Sequence, residues 1–365
     1  MDLARYHRQT LLPQIGEAGQ RRLAESHVLI VGCGALGSVQ ADLLARAGVG
    51  SLVLVDRDFV ETVNLQRQVL YDEADARARL PKAIAAKQRL EQVNSGVTIE
   101  AIVDDFNSLN AYRYTLESPR PVDVILDGLD NFETRYLLND LAVRHGVPYV
   151  YGGAVSTTGM LVPVLPRGES AESTPWSKHA TPCLRCLFEE PPAVGTTPTC
   201  DTAGILGPVT QIVAGLQVAE AVKILLKQYE AVRRSLVSFD LWEGVWRAPA
   251  LPAASPDCPC CGRREFPFLS SERGHLVAHL CGSQSVQINP VDVGRTIDLE
   301  ELRQRLAPHG EFELTRFLLR GRLREELDEA GAPLELTVFR NGRTIIRGLS
   351  DVRSARTIQA KYVGT

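Results

Sequence analysis

Apolar and polar positions along this chain follow two periods in turn. Short, nearly unbroken apolar runs at Val28 to Val31, Leu52 to Val55, Thr98 to Val103, Val122 to Asp127, Val147 to Tyr151 and Leu161 to Leu165 read as strands. Helical spacing recurs between them, at Leu36 to Ala47, Lys82 to Val93, Asn131 to Val143 and Val209 to Leu226. Such alternation predicts an α/β fold, a doubly wound, mostly parallel sheet of Rossmann-like type over residues 1–265. Phe266-Pro267-Phe268 reads as a connector. Beyond it the pattern changes to strands at Ser285 to Ile288, Leu334 to Phe339 and Thr344 to Gly348, an Asn341-Gly342 hairpin signal, and helices at Asp298 to Leu306 and Val352 to Tyr362. A small C-terminal α+β domain over 270–365, of unassigned role, is expected.

Composition narrows the class without identifying it. The 365 residues, 44% hydrophobic and 23% charged, suffice for a large core and one further domain. A formal net charge of −4 gives no reason to expect nucleic acid or an anionic membrane as partner. No apolar run reads as transmembrane, and the charged opening after Asp2 does not resemble a signal peptide, so a cytoplasmic protein is expected.

The first candidate chemistry is a glycine turn, Gly32-Cys33-Gly34-Ala35-Leu36-Gly37, between a strand and a helix. Its glycines allow the backbone to approach a phosphate at the helix N-terminus, and Asp56 ends the next strand where such folds place a ribose-binding acid. Alone this marks a nucleotide without saying which. Asn64, Arg67 and Lys82 add donors and positive charge that suit a triphosphate better than a nicotinamide dinucleotide. Asp130 falls at the C-terminal rim of the sheet, where a carboxylate can hold Mg²⁺ against ATP oxygens; Asp130 and Asn131 also suit a helix cap.

These residues together resemble the ThiF/MoeB/HesA adenylyltransferases, relatives of the ubiquitin-activating enzymes. The resemblance begins at Arg5-Tyr6-His7-Arg8-Gln9, similar to the family's RYxRQ, continues through Asn64-Leu65-Gln66-Arg67-Gln68 and Lys82, and ends at Cys261-Gly262. It implies a homodimer that uses ATP to adenylate the C-terminal glycine of a ubiquitin-like protein, the Gly-Gly-ended sulfur carriers of thiamine or molybdopterin synthesis being the expected partners. It also implies that Asp127-Gly128-Leu129-Asp130-Asn131 is the family's DxxDN, which favours metal and nucleotide contact, and that Arg8 reaches the phosphates of the partner subunit's site. The expected nucleotide-contacting set is Gly32, Gly34, Ala35, Leu36, Gly37, Asp56, Asp58, Asn64, Arg67, Gln68, Lys82, Asp130 and Asn131.

The cysteines are of three kinds. Cys183-Leu184-Arg185-Cys186 and Cys258-Pro259-Cys260-Cys261 supply two CxxC pairs, four thiolates that would close a tetrahedral, structural Zn²⁺ site. Cys258 and Cys261 form the second pair because CPxCG matches the resembled family, and Cys260 reads as a spare thiol. A redox CxxC is the competing reading. Cys200, in a loop-like segment before Gly207-Pro208, is the candidate second nucleophile, since some members of the family join the carrier covalently at a cysteine there; packing is the alternative. Cys33 reads as a packing residue. Cys281-Gly282-Ser283-Gln284-Ser285 faintly resembles a rhodanese loop, but the segment is too short for that domain, leaving Cys281 as a packing cysteine or a persulfide carrier. Gly364-Thr365 is not a Gly-Gly tail, so it is not expected to be adenylated itself.

Charge dictates the expected mechanism. A carboxylate attacking the α-phosphate approaches a polyanion, so Arg67, Lys82 and Mg²⁺ on Asp130 are assigned to neutralise it, with Arg8 of the partner subunit added by the resemblance; no general base is needed, because the attacking carboxylate is already ionised. An NAD-dependent oxidoreductase and a non-catalytic binding subunit are the competing functions. The first does not need Lys82 and Asp130, and the second would not need to retain Arg8, Arg67, Lys82 and Asp130 together.

Overall fold

The computed structural model describes residues 3–168, 174–191, 200–270, 277–279, 285–289 and 296–364. The chain divides into two compact units, Met1–Arg273 and Gly274–Thr365.

The larger unit holds strands β1 (His27–Val31), β2 (Ser51–Val55), β3 (Thr98–Ile102), β4 (Val124–Asp127), β5 (Tyr149–Val155), β6 (Thr158–Val164), β7 (Val237–Asp240) and β8 (Val245–Arg247) in one sheet of order β3-β2-β1-β4-β5-β6-β7-β8. Pairing is parallel from β3 through β5 and antiparallel from β5 to β8. Its helices are α1 (His7–Thr10), α2 (Gly16–Ala24), α3 (Ala35–Ala47), α4 (Glu73–Ala78), α5 (Lys82–Val93), α6 (Phe132–His145), α7 (Leu184–Leu187), α8 (Cys200–Ala203) and α9 (Gly207–Leu225). Side chains of a strand alternate between faces, and both faces here are covered. Val28, Ile30, Leu52 and Leu54 join one core with α3, α5 and α9. Leu29, Val31, Val53 and Val55 join a second with α6, Cys183, Cys258 and Leu269. Two-sided burial is why β1 reads as an unbroken apolar run.

Three features add to the sequence pattern. Helix α9 is apolar and long enough, by length and composition, to cross a membrane; Val209, Val213, Ala221 and Leu225 lie in the first core, and Gln217 and Glu220 are buried with them, so it is a core helix. Phe266-Pro267-Phe268 is no mere connector, because Phe266 and Phe268 pack against the second core and Leu269 is buried in it. Strands β7 and β8 escape the apolar pattern because all of β8 and alternate residues of β7 are not fully buried.

In the smaller unit β9 (Val277–His279), β10 (Ser285–Ile288), β11 (Gly310–Leu314), β12 (Leu318–Leu327), β13 (Pro333–Phe339) and β14 (Thr344–Arg347) form an antiparallel sheet of order β11-β12-β13-β14-β10-β9. Helices α10 (Leu299–Leu306) and α11 (Val352–Tyr362) bury Leu302, Leu306, Ala355 and Ile358 in a core with Leu319, Leu336 and Ile346. The sequence pattern misses β11 and β12, whose charged residues outnumber their buried ones.

Candidate nucleotide site and metal centre

Strand order reverses direction between β1 and β4, and the loops leaving their C-terminal ends define the crevice where open α/β sheets bind ligands. The glycine turn leaves β1. Gly32 has φ +90 and lies so close to the next loop that a Cβ would come within 2.6 Å of Gly128 O; a Cβ on Gly37 would run into Gly32 O. These glycines therefore let the two loops touch and α3 begin tightly, and the first-turn amides of Ala35, Leu36 and Gly37 have no acceptor within the helix. Gly128 has this role without having been singled out by the sequence, where its signal was a glycine directly after a strand-ending Asp.

Asp56 holds the turn from below. Its Oδ2 accepts from the Cys33 amide at 2.6 Å and its Oδ1 from the Asp58 amide at 2.6 Å. Burial raises its carboxyl to about 6, against the pull of Lys82. The expected ribose acid is thus first an anchor for the glycine turn. Tyr71 completes the anchor, its hydroxyl donating to Cys33 O at 2.7 Å, and Cys33 itself is buried in the first core.

Lys82 begins α5, with its amide donating to Asp58 O at 2.9 Å and its Nζ lying 3.0 Å from Asp58 Oδ2. The lysine side chain is only 9% exposed, the Asp58 side chain 49%. Burial disfavours its charge, but Asp58 and Asp56 outweigh this and hold the ammonium above its ordinary range. Asn64 is buried and its Oδ1 accepts from the Glu61 amide at 3.1 Å, fixing the turn that presents Arg67. Arg67 donates to Val63 O at 3.0 Å and pairs with no carboxylate among the described residues. Gln68 is buried beside Gly34, its Oε1 lacking a partner.

Asp130 is exposed at the rim, and its charge acts on Lys82, Arg57 and Arg135. Of the two candidates for the helix cap, the structure selects Asn131, whose Oδ1 accepts from the Thr134 amide at 2.9 Å. Beneath them lies a buried ion pair that the sequence did not disclose. Arg135 Nε is 3.3 Å from Asp127 Oδ2, with side-chain exposures of 7% and 0%. Its only sequence signal was a charged residue on the inner face of α6.

Tyr6 and Gln9 fix the N-terminal segment. Asn94 Nδ2 donates to the Tyr6 hydroxyl at 2.8 Å, Tyr6 covers Gly48, and Gln9 Nε2 donates to Ala47 O at 3.0 Å. Arg8 is left exposed.

Away from the nucleotide site, the sulfurs of Cys183, Cys186, Cys258 and Cys261 all lie within 4.8 Å of one another. Cys183 and Cys258 are 3.6 Å apart, Cys186 and Cys261 3.3 Å. Four thiolates about 2.3 Å from one tetrahedral Zn²⁺ would be roughly 3.8 Å apart, so the donor set and its spacing fit the metal. Cys260 is not merely spare: it is buried, and Asn139 Nδ2 donates to its Sγ at 3.3 Å while Asn139 Oδ1 accepts from Leu184 N at 2.8 Å. One asparagine thereby ties both cysteine loops to α6.

Cys200 opens α8, and its side chain lies outside the described residues, as does Cys281. After α8 the chain is held to the β5–β6 turn, with Ser156 N donating to Gly204 O and Leu206 N to Ser156 O, both at 2.9 Å. Gly207 then abuts the arginine-bearing segment, since a Cβ there would lie 3.2 Å from Gln66 O.

Comparison with known proteins accords with this architecture. The chain is 39% identical over 363 residues to the sulfur carrier protein ThiS adenylyltransferase of Bacillus subtilis (strain 168), covering 99% of each. It is 40% identical over 265 residues to the sulfur carrier protein adenylyltransferase of Thermus thermophilus, covering 72% of this chain and 91% of that one. Among solved structures, Escherichia coli MccB with ATP shares the fold with a TM-score of 0.54 at 23% identity, over 67% of this chain and 69% of that one. The sequence profile of the ThiF family matches residues 6–260, and with the glycine turn, Lys82, Asp130 and the four cysteines all in place, this chain belongs to the ThiF family.

Proposed function

We propose that this chain is an ATP-dependent adenylyltransferase that activates the C-terminal glycine of a ubiquitin-like sulfur carrier ending in Gly-Gly. The observation that carries the reading is the convergence on one crevice of the glycine turn after β1, Lys82 at the start of α5 and Asp130 after β4. The carrier carboxylate forms a bond to the α-phosphorus, the bond to the bridging oxygen of the β-phosphate breaks, and pyrophosphate leaves with the electron pair. Lys82 and Arg67 offset the anionic charge, the α3 amides and glycine turn receive phosphate, and no protein base has to remove a proton. Asp130 would hold Mg²⁺, which supplies further neutralisation of phosphate charge. The four cysteines would hold Zn²⁺ in a closed, structural role.

A ThiS-type carrier, and with it thiamine synthesis, is favoured over the molybdopterin carriers, because the Bacillus relative matches the chain through the C-terminal unit as well. The working form we propose is a cytoplasmic homodimer, in which the exposed Arg8 of one protomer serves the other's phosphates, and Cys200 accepts the activated carrier. Exchange of labelled pyrophosphate into ATP tests the reading. We expect exchange with a ThiS-type carrier and none with the same carrier lacking its last glycine; absence of exchange with every Gly-Gly carrier overturns it. Cys200→Ser should retain exchange while losing a thiol-sensitive adduct visible by intact-protein mass spectrometry.

A further inference from the structure

Asp130 is the carboxylate on which the proposed reaction leans most, yet its side chain makes no hydrogen bond among the described residues. What places it is the chain on either side. On the C-terminal side, Asn131 caps α6. On the N-terminal side, both backbone groups of Leu129 are held by one buried ion pair: the Leu129 amide donates to Asp127 Oδ1 at 2.9 Å, and Arg135 Nη2 donates to Leu129 O at 2.6 Å. Arg135 Nη2 also donates to Gly152 O at 3.1 Å, so the β4–α6 turn is braced against β5. Tyr149 donates to Asp127 Oδ2 at 2.7 Å, and the guanidinium lies over the rings of Phe132 and Tyr151, at 5.4 and 5.2 Å from their centroids. Leu129 and Asn131 are thus held on both sides of Asp130, whose own carboxylate is exposed.

Stability is a poor explanation for such a pair. Removing two charges from water costs several kcal/mol per ion, and well-packed apolar residues of similar volume often serve a fold as well or better. A planar guanidinium, by contrast, reaches a carboxylate and two carbonyls at once from a single fixed position, which a flexible ammonium cannot do. We propose that Arg135 is a positioning residue for adenylation: with Asp127 it fixes the peptide groups on both sides of Leu129, so that Asp130 stands ready at the metal and nucleotide site before either arrives. This inference rests on the assignment of Asp130 to that site, and it adds the residues that make the assignment geometrically possible. A loosely held Asp130 would have to be ordered at each turnover, and misplacement by about 1 Å can cost on the order of 100-fold in rate.

The test is a double-mutant cycle on pyrophosphate exchange, using the full chain and a Gly-Gly carrier. Arg135→Lys keeps the positive charge beside Asp127 but loses the fork. We expect it to lower the exchange kcat by about 10- to 100-fold with the carrier KM unchanged, and to have no further effect when added to Asp130→Asn. Mn²⁺, which binds such ligand sets more tightly than Mg²⁺ does, should restore part of the loss in Arg135→Lys and none in Asp130→Asn. Should Arg135→Lys not fold, the neutral pair Asp127→Asn with Arg135→Gln leaves no buried unpaired charge and is carried through the same cycle. Equal fractional losses from the Arg135 change in the presence and absence of Asp130, or losses that follow thermal stability and ignore the metal, overturn the inference. Lack of exchange in the unaltered protein would instead overturn the functional reading beneath it.

Discussion

The two halves of helix α6 support opposite kinds of site. Its first turns, through the cap Asn131 and through Arg135 paired with Asp127 of β4, support an exposed rim that carries Asp130. Its later turns, through Asn139 and Asp140, hold a closed cluster: Asn139 binds Leu184 and Cys260, and Asp140 Oδ2 accepts from the Phe268 amide at 3.1 Å. In both places the buried polar groups of the helix grip backbone or a neighbour, not the ligand. The difference lies in what is left over. At the rim an exposed carboxylate makes no hydrogen bond among the described residues; among the cysteines the four sulfurs lie together, and a metal held by all four would have no position open for chemistry. On the proposed reading, the two ends of the helix differ less in how many polar groups they gather than in which one their supports leave exposed.

The strongest way to break this comparison is Asp130→Ala. If the rim is chemical and the helix beneath it structural, exchange should fall by roughly 100- to 1,000-fold, while thermal stability changes little, because the side chain is exposed and makes no hydrogen bond among the described residues. Wild-type exchange in that variant would remove Asp130 from the site. The cysteine end should respond the other way round. Cys183→Ser with Cys258→Ser should abolish zinc content measured by elemental analysis. The loss of a structural metal is expected to cost roughly 4 kcal/mol or more, on the order of 10 °C in Tm for a unit of this size. Retained zinc, or loss of exchange without loss of stability, would show that the two ends are not divided in this way.

The smallest expected effect sharpens the rim itself. Asp56 is raised to about 6 by burial, above the value of about 3.9 for an exposed aspartate. The folded state therefore binds its proton more tightly than the unfolded state, and the stabilisation this gives is present below about pH 4 and lost as pH rises through about 6. Relative to Asp56→Asn, which cannot ionise, the wild-type Tm should decline by a few degrees between pH 4 and pH 7. A difference that stays constant over that range would mean that the backbone amides of Cys33 and Asp58 compensate the burial fully.

Much of the large unit was legible in the sequence. Lys82–Val93 and the glycine turn carry strong local signals, and two-sided burial makes the parallel strands apolar throughout. The strands of the small unit were less so: β12 runs Leu318–Leu327 with Arg320, Arg322, Arg324, Glu325 and Glu326 inside it, a pattern that hydrophobicity alone does not call a strand. In the candidate site, residue types and order indicated Asp56, Lys82 and Asp130, whereas the division between Asp130 as free carboxylate and Asn131 as cap could not be read from two adjacent residues that both suit either task.

By itself the sequence determined the fold class, the order of strands and helices around the glycine turn, and the grouping of four cysteines into one candidate metal set, because these rest on local period, local spacing and intrinsic ligand chemistry. The tertiary structure alone decided that Asp56 holds the turn it was expected to complement, that Asn139 joins the two cysteine loops, and that Arg135 and Asp127 lie together under Asp130. The physical reason is range. A helical face or a CxxC spacing is set by neighbours a few residues apart, while a buried polar group finds its partner only when separate elements have packed together, at the point where water has been excluded and an unpaired group would be costly.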